Sequence, residues 1–370
     1  MSATDPPTRD ELEVSLFGPG VGESVVAHLG AGDWLVVDSC VDRPSREPVA
    51  LRYLKRLGVD PARVIKLIVV THWHDDHMRG ISEVLRVAGA SQFACSAALR
   101  RLELFTLVGS RERAMTMSSG IDEFAEVLEI LVARAPEGAR AEGIGPQWAA
   151  ANQRLFQRAA SGTAPRAEVF ALSPSPASQT LGFSEIVEQQ PPLGSQKRRL
   201  VTLTPNRASV VLHIAVDDMC AILGADLENS EDPTVGWQAI ITSDSRPQAR
   251  SVVFKVAHHG SPNADHPDVW PSLLTDRPIS IVTPYSRLAQ PLPTPDDLDR
   301  LKARSQGVYC TALTGGARLP RRDPAVEKTL REMAKARKVL DGRMGHVRVR
   351  LKSGDAAGPR VDLFNGAFKA

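Results

Sequence analysis

One short stretch constrains this chain more than any other. The apolar run Val64-Ile65-Lys66-Leu67-Ile68-Val69-Val70 passes directly into Thr71-His72-Trp73-His74-Asp75-Asp76-His77. Three of the nine histidines fall in that loop, beside two carboxylates. Imidazole and carboxylate are the groups that hold zinc, manganese or iron. The apolar run has the length and the β-branched content of a buried strand, so the loop that leaves it is aimed at a fixed point. His72 and His74 are two residues apart and face the same way in extended backbone. Asp76 and His77 follow where the chain turns towards Gly80. One pair can serve one ion while the other serves a second, at the separation of about 3.5–4 Å found in two-metal sites.

The rest of the composition narrows the field. A chain of 370 residues can bury a substantial core as one large domain or two. A formal net charge of +2 supplies no global field for a polyanion or an anionic membrane. Cys40, Cys95, Cys220 and Cys310 are scattered and include no CxxC, which excludes a disulfide framework and a thiolate zinc site and fits a reducing, cytoplasmic setting. Residues Met1 to Glu13 are polar and acidic, with no apolar core of a secretory signal. No apolar run is long enough to cross a bilayer, so no membrane partner is expected.

Short β-type runs recur at Glu13–Phe17, Ser24–Leu29, Trp34–Asp38, Val64–Val70, Val201–Leu203, Ser209–Val216, Met219–Leu223, Val252–Val256 and Ile279–Val282. Gly30-Ala31-Gly32-Asp33 predicts a hairpin between the second and third. Helical spacing marks Arg46–Leu57, Gly80–Ala88 and Pro295–Ser305. Ile121–Arg134 and Gln147–Ala160 are read as helices of an insertion spanning about 97–165, and Ser173–Pro192 as an irregular loop. Near the C-terminus, Pro324–Leu340 predicts a helix, and His346–Lys352 with Arg360–Phe364 a hairpin. Interleaved strands and helices of this kind give an α/β protein, and a four-layer αβ/βα sandwich accounts for them, though periodicity alone also allows another α/β sandwich. The expected units are a hydrolase-like domain over 10–320 and a C-terminal extension over 321–370 packed on it.

Later motifs add to the loop. Asp226 closes the apolar run Ile222-Leu223-Gly224-Ala225, where a bare buried carboxylate is costly without a partner. Its two oxygens can touch two metals. His258 and His259 are adjacent at a strand end, so their side chains diverge and one of them is expected to reach the metals, with His258 slightly favoured. Asp38 is expected to orient a ligand histidine from behind.

His72-Trp73-His74-Asp75-Asp76-His77-Met78-Arg79-Gly80 resembles the HxHxDHxxG signature of the metallo-β-lactamase superfamily. Asp38 resembles that family's strand-end aspartate, and Asp226 its bridging carboxylate. Val256-Ala257-His258-His259-Gly260-Ser261 resembles its last histidine motif. Gly20-Val21-Gly22-Glu23-Ser24, Asn206-Arg207-Ala208-Ser209 and Lys255-Val256-Ala257-His258-His259-Gly260-Ser261 are similar to motifs of the ComEC/Rec2-like competence branch, without its transmembrane channel. The resemblance implies the four-layer metallo-β-lactamase sandwich. It also implies one or two divalent ions, Zn2+ ahead of Mn2+, on His72, His74, Asp76, His77, Asp226 and one of His258 and His259. Asp38, Asn206 and Ser261 are expected around them, and Asp76 and Asp226 are expected to be catalytic. One departure stands out: the only histidine between His77 and Asp226 is His213, inside a strand and read as packed there, so the metal on His72 and His74 is expected to have fewer protein ligands.

These residues predict hydrolysis by a metal-activated water, with a nucleic acid or nucleotide phosphodiester as the substrate. The basic runs Gln196-Lys197-Arg198-Arg199 and Arg318-Leu319-Pro320-Arg321-Arg322 suit that substrate, though such runs are more often solvated faces. A hydrolase of small esters, lactones or thioesters is the alternative. A degenerate metal site in a binding or regulatory partner of another protein is the reading of another class. Of the remaining histidines, His28 on a strand is expected to be structural, and His266 and His346 are expected at the surface.

Overall fold

Alternation along the strands decides the architecture. In the strand Ile65–Val70, Leu67 and Val69 enter one buried cluster while Ile68 and Val70 enter another. In Met219–Leu223, Ala221 and Leu223 face inward, and Ile222 faces outward. Both faces of each strand are therefore covered, which requires four layers. The computed structural model describes residues 3–18, 22–42, 44–99, 119–134, 145–181, 205–286, 290–313, 344–355 and 357–370.

The first sheet holds β1 (Glu11–Gly18), β2 (Ser24–Leu29), β3 (Trp34–Val37), β4 (Ile65–Val70), β5 (Gln92–Ser96) and β6 (Gln147–Ala149). The second holds β7 (Gln153–Arg158), β8 (Ala167–Ala171), β9 (Leu212–Val216), β10 (Met219–Leu223), β11 (Ser251–Lys255), β12 (Leu274–Val282) and β13 (Gly307–Cys310). Near the end of the chain, β14 (Gly345–Lys352) and β15 (Arg360–Phe364) join the first sheet and β16 (Phe368–Lys369) the second. The spatial orders are β15-β14-β1-β2-β3-β4-β5-β6 and β16-β13-β12-β11-β10-β9-β8-β7. Each half runs antiparallel first and parallel later: β3 to β6 in one sheet and β10 to β13 in the other.

The helices among the described residues include α1 (Val49–Arg56), α2 (Pro61–Val64), α3 (Asp75–Met78), α4 (Ile81–Val87), α5 (Ser119–Ala133), α6 (Gly236–Ile241), α7 (Val269–Leu273) and α8 (Pro295–Arg304). Leu51, Leu54, Ile81, Leu85 and Phe124 cover the outer face of the first sheet. Trp237, Val269, Trp270 and Leu301 cover that of the second. The molecule is an αβ/βα sandwich with its main core between the sheets. The capping box of Thr294 with Asp297 and Pro295 in the first turn explain why α8 starts where its sequence predicts.

Three expectations change. Gln147–Ala160 is not a helix. It forms β6, the edge of the first sheet, and β7, the edge of the second, so the chain crosses between sheets here. The helical reading missed the alternation that buries Leu155 between exposed Arg154 and half-buried Phe156 and pairs β7 with β8. Of the insertion, α5 is helical, and Glu123 from it accepts backbone N–H bonds from Gly80 (2.7 Å) and Ser82 (3.2 Å) at the start of α4. In the stretch read as an irregular loop, residues 176–181 are helical. His346 is buried, stacked on Phe17 at 4.2 Å between ring centres, and hydrogen-bonded to Ser15. The predicted strand Val201–Leu203, the helix Pro324–Leu340 and both basic runs lie outside the described residues. All four cysteines are buried and free. Among the described residues no helix is long and apolar enough to cross a membrane.

Candidate metal centre

The carboxyl ends of the parallel strands of both sheets meet at one edge of the sandwich, the place where α/β sheets expose side chains to a ligand. Asp38 follows β3, Thr71 and His72 follow β4, and His74 leads into the short α3 that carries Asp76 and His77. From the other sheet, Asp226 lies just beyond β10, and His258 and His259 just beyond β11. Gly224 makes the approach of these last two turns feasible, since a Cβ there would lie 2.9 Å from the Lys255 carbonyl. Gly80, the last residue of the signature, has φ of +84° and caps α4 where a side chain would strike Val41 and Pro48.

Asp226 is the hub. Its Oδ2 lies 3.8 Å from His72 Nε2, 3.4 Å from His77 Nε2 and 3.7 Å from His259 Nε2. His72 Nε2 and His74 Nδ1 are 3.1 Å apart. The donor atoms around the hub fall into two trios, His72 with His74 and Asp226, and Asp76 with His77 and His259, each within 4.8 Å; a third, Glu23 with Asp38 and His77, gathers on the Nδ1 side of the His77 ring. The interval between His77 and Asp226 supplies no further histidine because His213 packs in β9 against the Ala249 carbonyl, and Asp226 completes the first trio instead.

Hydrogen bonds behind the rings fix which nitrogen faces inward. His77 Nδ1 donates to Asp38 Oδ2 at 2.7 Å, and His259 Nδ1 donates to the Thr283 carbonyl at 2.8 Å. The Thr71 hydroxyl donates to Asp38 Oδ2 and accepts from His72 Nδ1. Each inner Nε2 therefore faces the hub. Asp38, with backbone φ of +56°, also accepts the Thr71 N–H at 2.8 Å, so a single carboxylate orients two of the rings.

Electrostatics favour a cation. The buried carboxylates Glu23, Asp38 and Asp226, with Asp76 at the edge, face one buried ammonium, that of Lys255. Burial holds His72 far below its ordinary range and lowers His74, which keeps both rings neutral and able to ligate. Burial opposes charge on His77 too, but Asp226, Asp76 and Asp38 push that ring well above its ordinary value. Burial likewise opposes charge on Asp226, yet His77 and His259 hold its carboxyl well below the usual range. His77 Nε2, which faces Asp226 Oδ2, is buried without a hydrogen-bond partner. Unpaired groups of this sort are expensive unless a positive ion completes them, so the residues present fit a divalent metal.

Of the adjacent histidines, it is His259 that turns inward. This reverses the slight preference for His258. Both residues have positive φ, 45° and 56°, and the ring centres lie 6.0 Å apart. His258 stands on the rim instead. Its Nδ1 lies 3.2 Å from Asn263 Oδ1 and 3.3 Å from Glu228 Oε1, and its Nε2 lies 3.4 Å from Asn206 Nδ2. Asn206 also donates to Glu228. The Ser261 hydroxyl makes no hydrogen bond to the cluster; the residue instead leads into the helical turn at Pro262–Ala264. Glu23 and Lys255 escaped the sequence reading, although both stood in motifs singled out there. The signal was a lysine ending the apolar strand Ser251–Lys255, where an unpaired ammonium has no reason to be.

The sequence profile of the metallo-beta-lactamase superfamily matches residues 17–218, more than half of the chain. The chain belongs to the metallo-beta-lactamase superfamily. Solved structures similar to this superfamily member include the metallo-beta-lactamase fold protein YhfI from Bacillus subtilis, at 12% identity over 82% of this chain and 97% of that one, with a TM-score of 0.39. The metallo-beta-lactamase SMB-1 bound to 2-mercaptoethanesulfonate is 12% identical over 70% of this chain and 82% of that chain, with a TM-score of 0.33. A metallo-beta-lactamase of Cronobacter sakazakii is 15% identical over 70% and 80%, with a TM-score of 0.32. No curated protein matches the chain.

Proposed function

We propose that this superfamily member is a metal-dependent phosphodiesterase acting on nucleic acid or nucleotides. The observation that carries the reading is the placement of Asp226 Oδ2 within 3.8 Å of three inward-facing imidazole nitrogens. A carboxylate so placed suits two cations, and a cation pair suits a phosphodiester, whose attacking and leaving oxygens both need neutralising. His72, His74 and Asp226 would hold one ion and Asp76, His77 and His259 the other, with Zn2+ the best match to this nitrogen and oxygen set and Mn2+ able to replace it. Metal held there lowers the pKa of water from about 15.7 towards about 7 and polarises a phosphoryl oxygen.

The side chains supply the rest. Asp38 and Thr71 hold the rings of His72 and His77 in the tautomer that ligates. Asp76, with its side chain 16% exposed, is the carboxylate of the cluster most open to solvent, and it would take the proton of the attacking water where it is not committed to metal. Asn206 and His258 stand on the rim, where an amide N–H and an imidazole can bind the non-reacting oxygens of a phosphate. Sequence motifs of the competence-protein kind support this substrate class.

Purified protein is loaded with Zn2+ or Mn2+ and offered bis-p-nitrophenyl phosphate, DNA and RNA, beside lactone, thioester and phosphocholine-type esters. Phosphodiester cleavage is expected, and His74→Ala is expected to abolish it while the protein stays folded. Turnover of the esters alone would replace the reading with a small-molecule hydrolase. A folded protein that takes up no metal would make it a binding or regulatory partner.

A further inference from the structure

The cluster leaves one buried charge unused. Lys255, the last residue of β11, is 1% exposed and touches no solvent-facing group. Its Nζ lies 2.5 Å from Glu23 Oε1, donates to the Ala225 carbonyl at 2.9 Å and stands 3.9 Å from Asp226 Oδ1. That Oδ1 is the oxygen without a hydrogen-bond partner, on the side of the carboxylate away from the imidazoles. Ala225 has φ of +46°, a conformation that a residue with a Cβ holds only when its surroundings fix it. The Lys255 ammonium and the His258 N–H both donate to its carbonyl and do so. Glu23 continues the chain of contacts into the other sheet, since its own N–H donates to the Asp76 carbonyl at 3.0 Å.

We infer that the Lys255–Glu23 pair is a positioning device which pins Asp226 so that one oxygen faces the metals, and which sets the spacing between the two half-sites. The ammonium attracts Oδ1 and leaves Oδ2 to the ligand cluster. The same ammonium holds the strained turn that aims Asp226, and through Glu23 it is tied to the loop bearing Asp76 and His77. Without it, Asp226 is free to rotate and present both oxygens, and the two trios are no longer held at a set distance. Outer groups of this kind are worth about 10- to 100-fold in metal affinity. The inference rests on the reading of the cluster as a metal site.

The test uses the parent protein, Lys255→Met and the double variant Lys255→Met/Glu23→Gln. The double variant removes the pair without stranding a buried charge, so it stays folded if the single variant does not. Affinity is measured by chelator competition with Zn2+, and coordination by the visible absorption of bound Co2+ per bound ion. The expected result is a loss of about 10- to 100-fold in affinity in the double variant, and in the single variant where it folds, with an altered Co2+ spectrum. A merely structural pair would leave the spectrum per bound ion unchanged. Parent-like affinity or a parent-like spectrum in the double variant overturns the inference. Failure of the parent itself to bind metal overturns instead the reading on which it rests.

Discussion

The turn after β4 and the turn after β11 both deliver histidines to the same cavity edge, and they do it by opposite means. After β4 the backbone stays extended through His72 and His74 and then coils into α3, so four donors fall within six residues on one side. After β11 the chain takes two consecutive positive-φ residues, and the adjacent rings part: His259 goes in beside Asp226, His258 out to Asn206, Glu228 and Asn263. Regular backbone makes a ligand set that spacing alone can read. Irregular backbone makes a choice between neighbours that only the turn geometry resolves.

The sharpest way to break this comparison is to remove the hub that both turns share. Asp226→Ala should abolish metal binding and lower phosphodiester turnover by about 1000-fold or more, since the metal supplies several kcal/mol of stabilisation. Metal content by elemental analysis and kcat/KM check it, and a variant retaining metal and turnover would dissolve the shared centre. Next comes the adjacent pair. His259→Ala should lose one metal equivalent and about 100-fold or more in kcat/KM, whereas His258→Ala should keep its metal and lose about 10-fold through weaker substrate contact. The reverse ranking would mean the turn after β11 faces the other way in solution. Asp38→Asn should cost about 10- to 100-fold in metal affinity, because the carboxylate accepts at both oxygens and the amide would set its NH2 against either the Thr71 N–H or the Thr71 hydroxyl and His77 Nδ1–H.

The smallest effect concerns a histidine outside both turns. His28 donates Nδ1–H to the Glu11 carbonyl and accepts the Gly32 N–H on Nε2, so the fold wants it neutral. Burial lowers its pKa from 6.5 to about 4. Its contribution is fully present above the unfolded value and is lost as pH falls towards the folded one. The parent should lose up to about 3 kcal/mol of stability over that window, and His28→Gln should flatten the loss in thermal melts recorded across it.

Much of this was legible in the chain. The apolar run Val64–Val70 foretold a buried strand, the short β-type runs foretold β2 and β10, and the loop from His72 to His77 foretold a shared site. What escaped did so for physical reasons. Gln147–Ala160 is rich in alanine, a strong helix former, and its placement as strands depends on edges offered by β5 and β8. The depth of His346 is set by Phe17, Tyr53 and Phe364, distant in sequence. Lys255 at the end of an apolar strand hinted at a buried partner, but only the fold sets Glu23 2.5 Å from it.

The pairing of β1 with β14 runs from Glu11 opposite Lys352 to Gly18 opposite Gly345. A strand therefore waits on the ribosome for a neighbour made long after it. Until Gly345 emerges, β1 offers an unsatisfied row of amides and carbonyls to any other nascent chain, and a polypeptide released early, short of β14, would keep that row as a template for self-association.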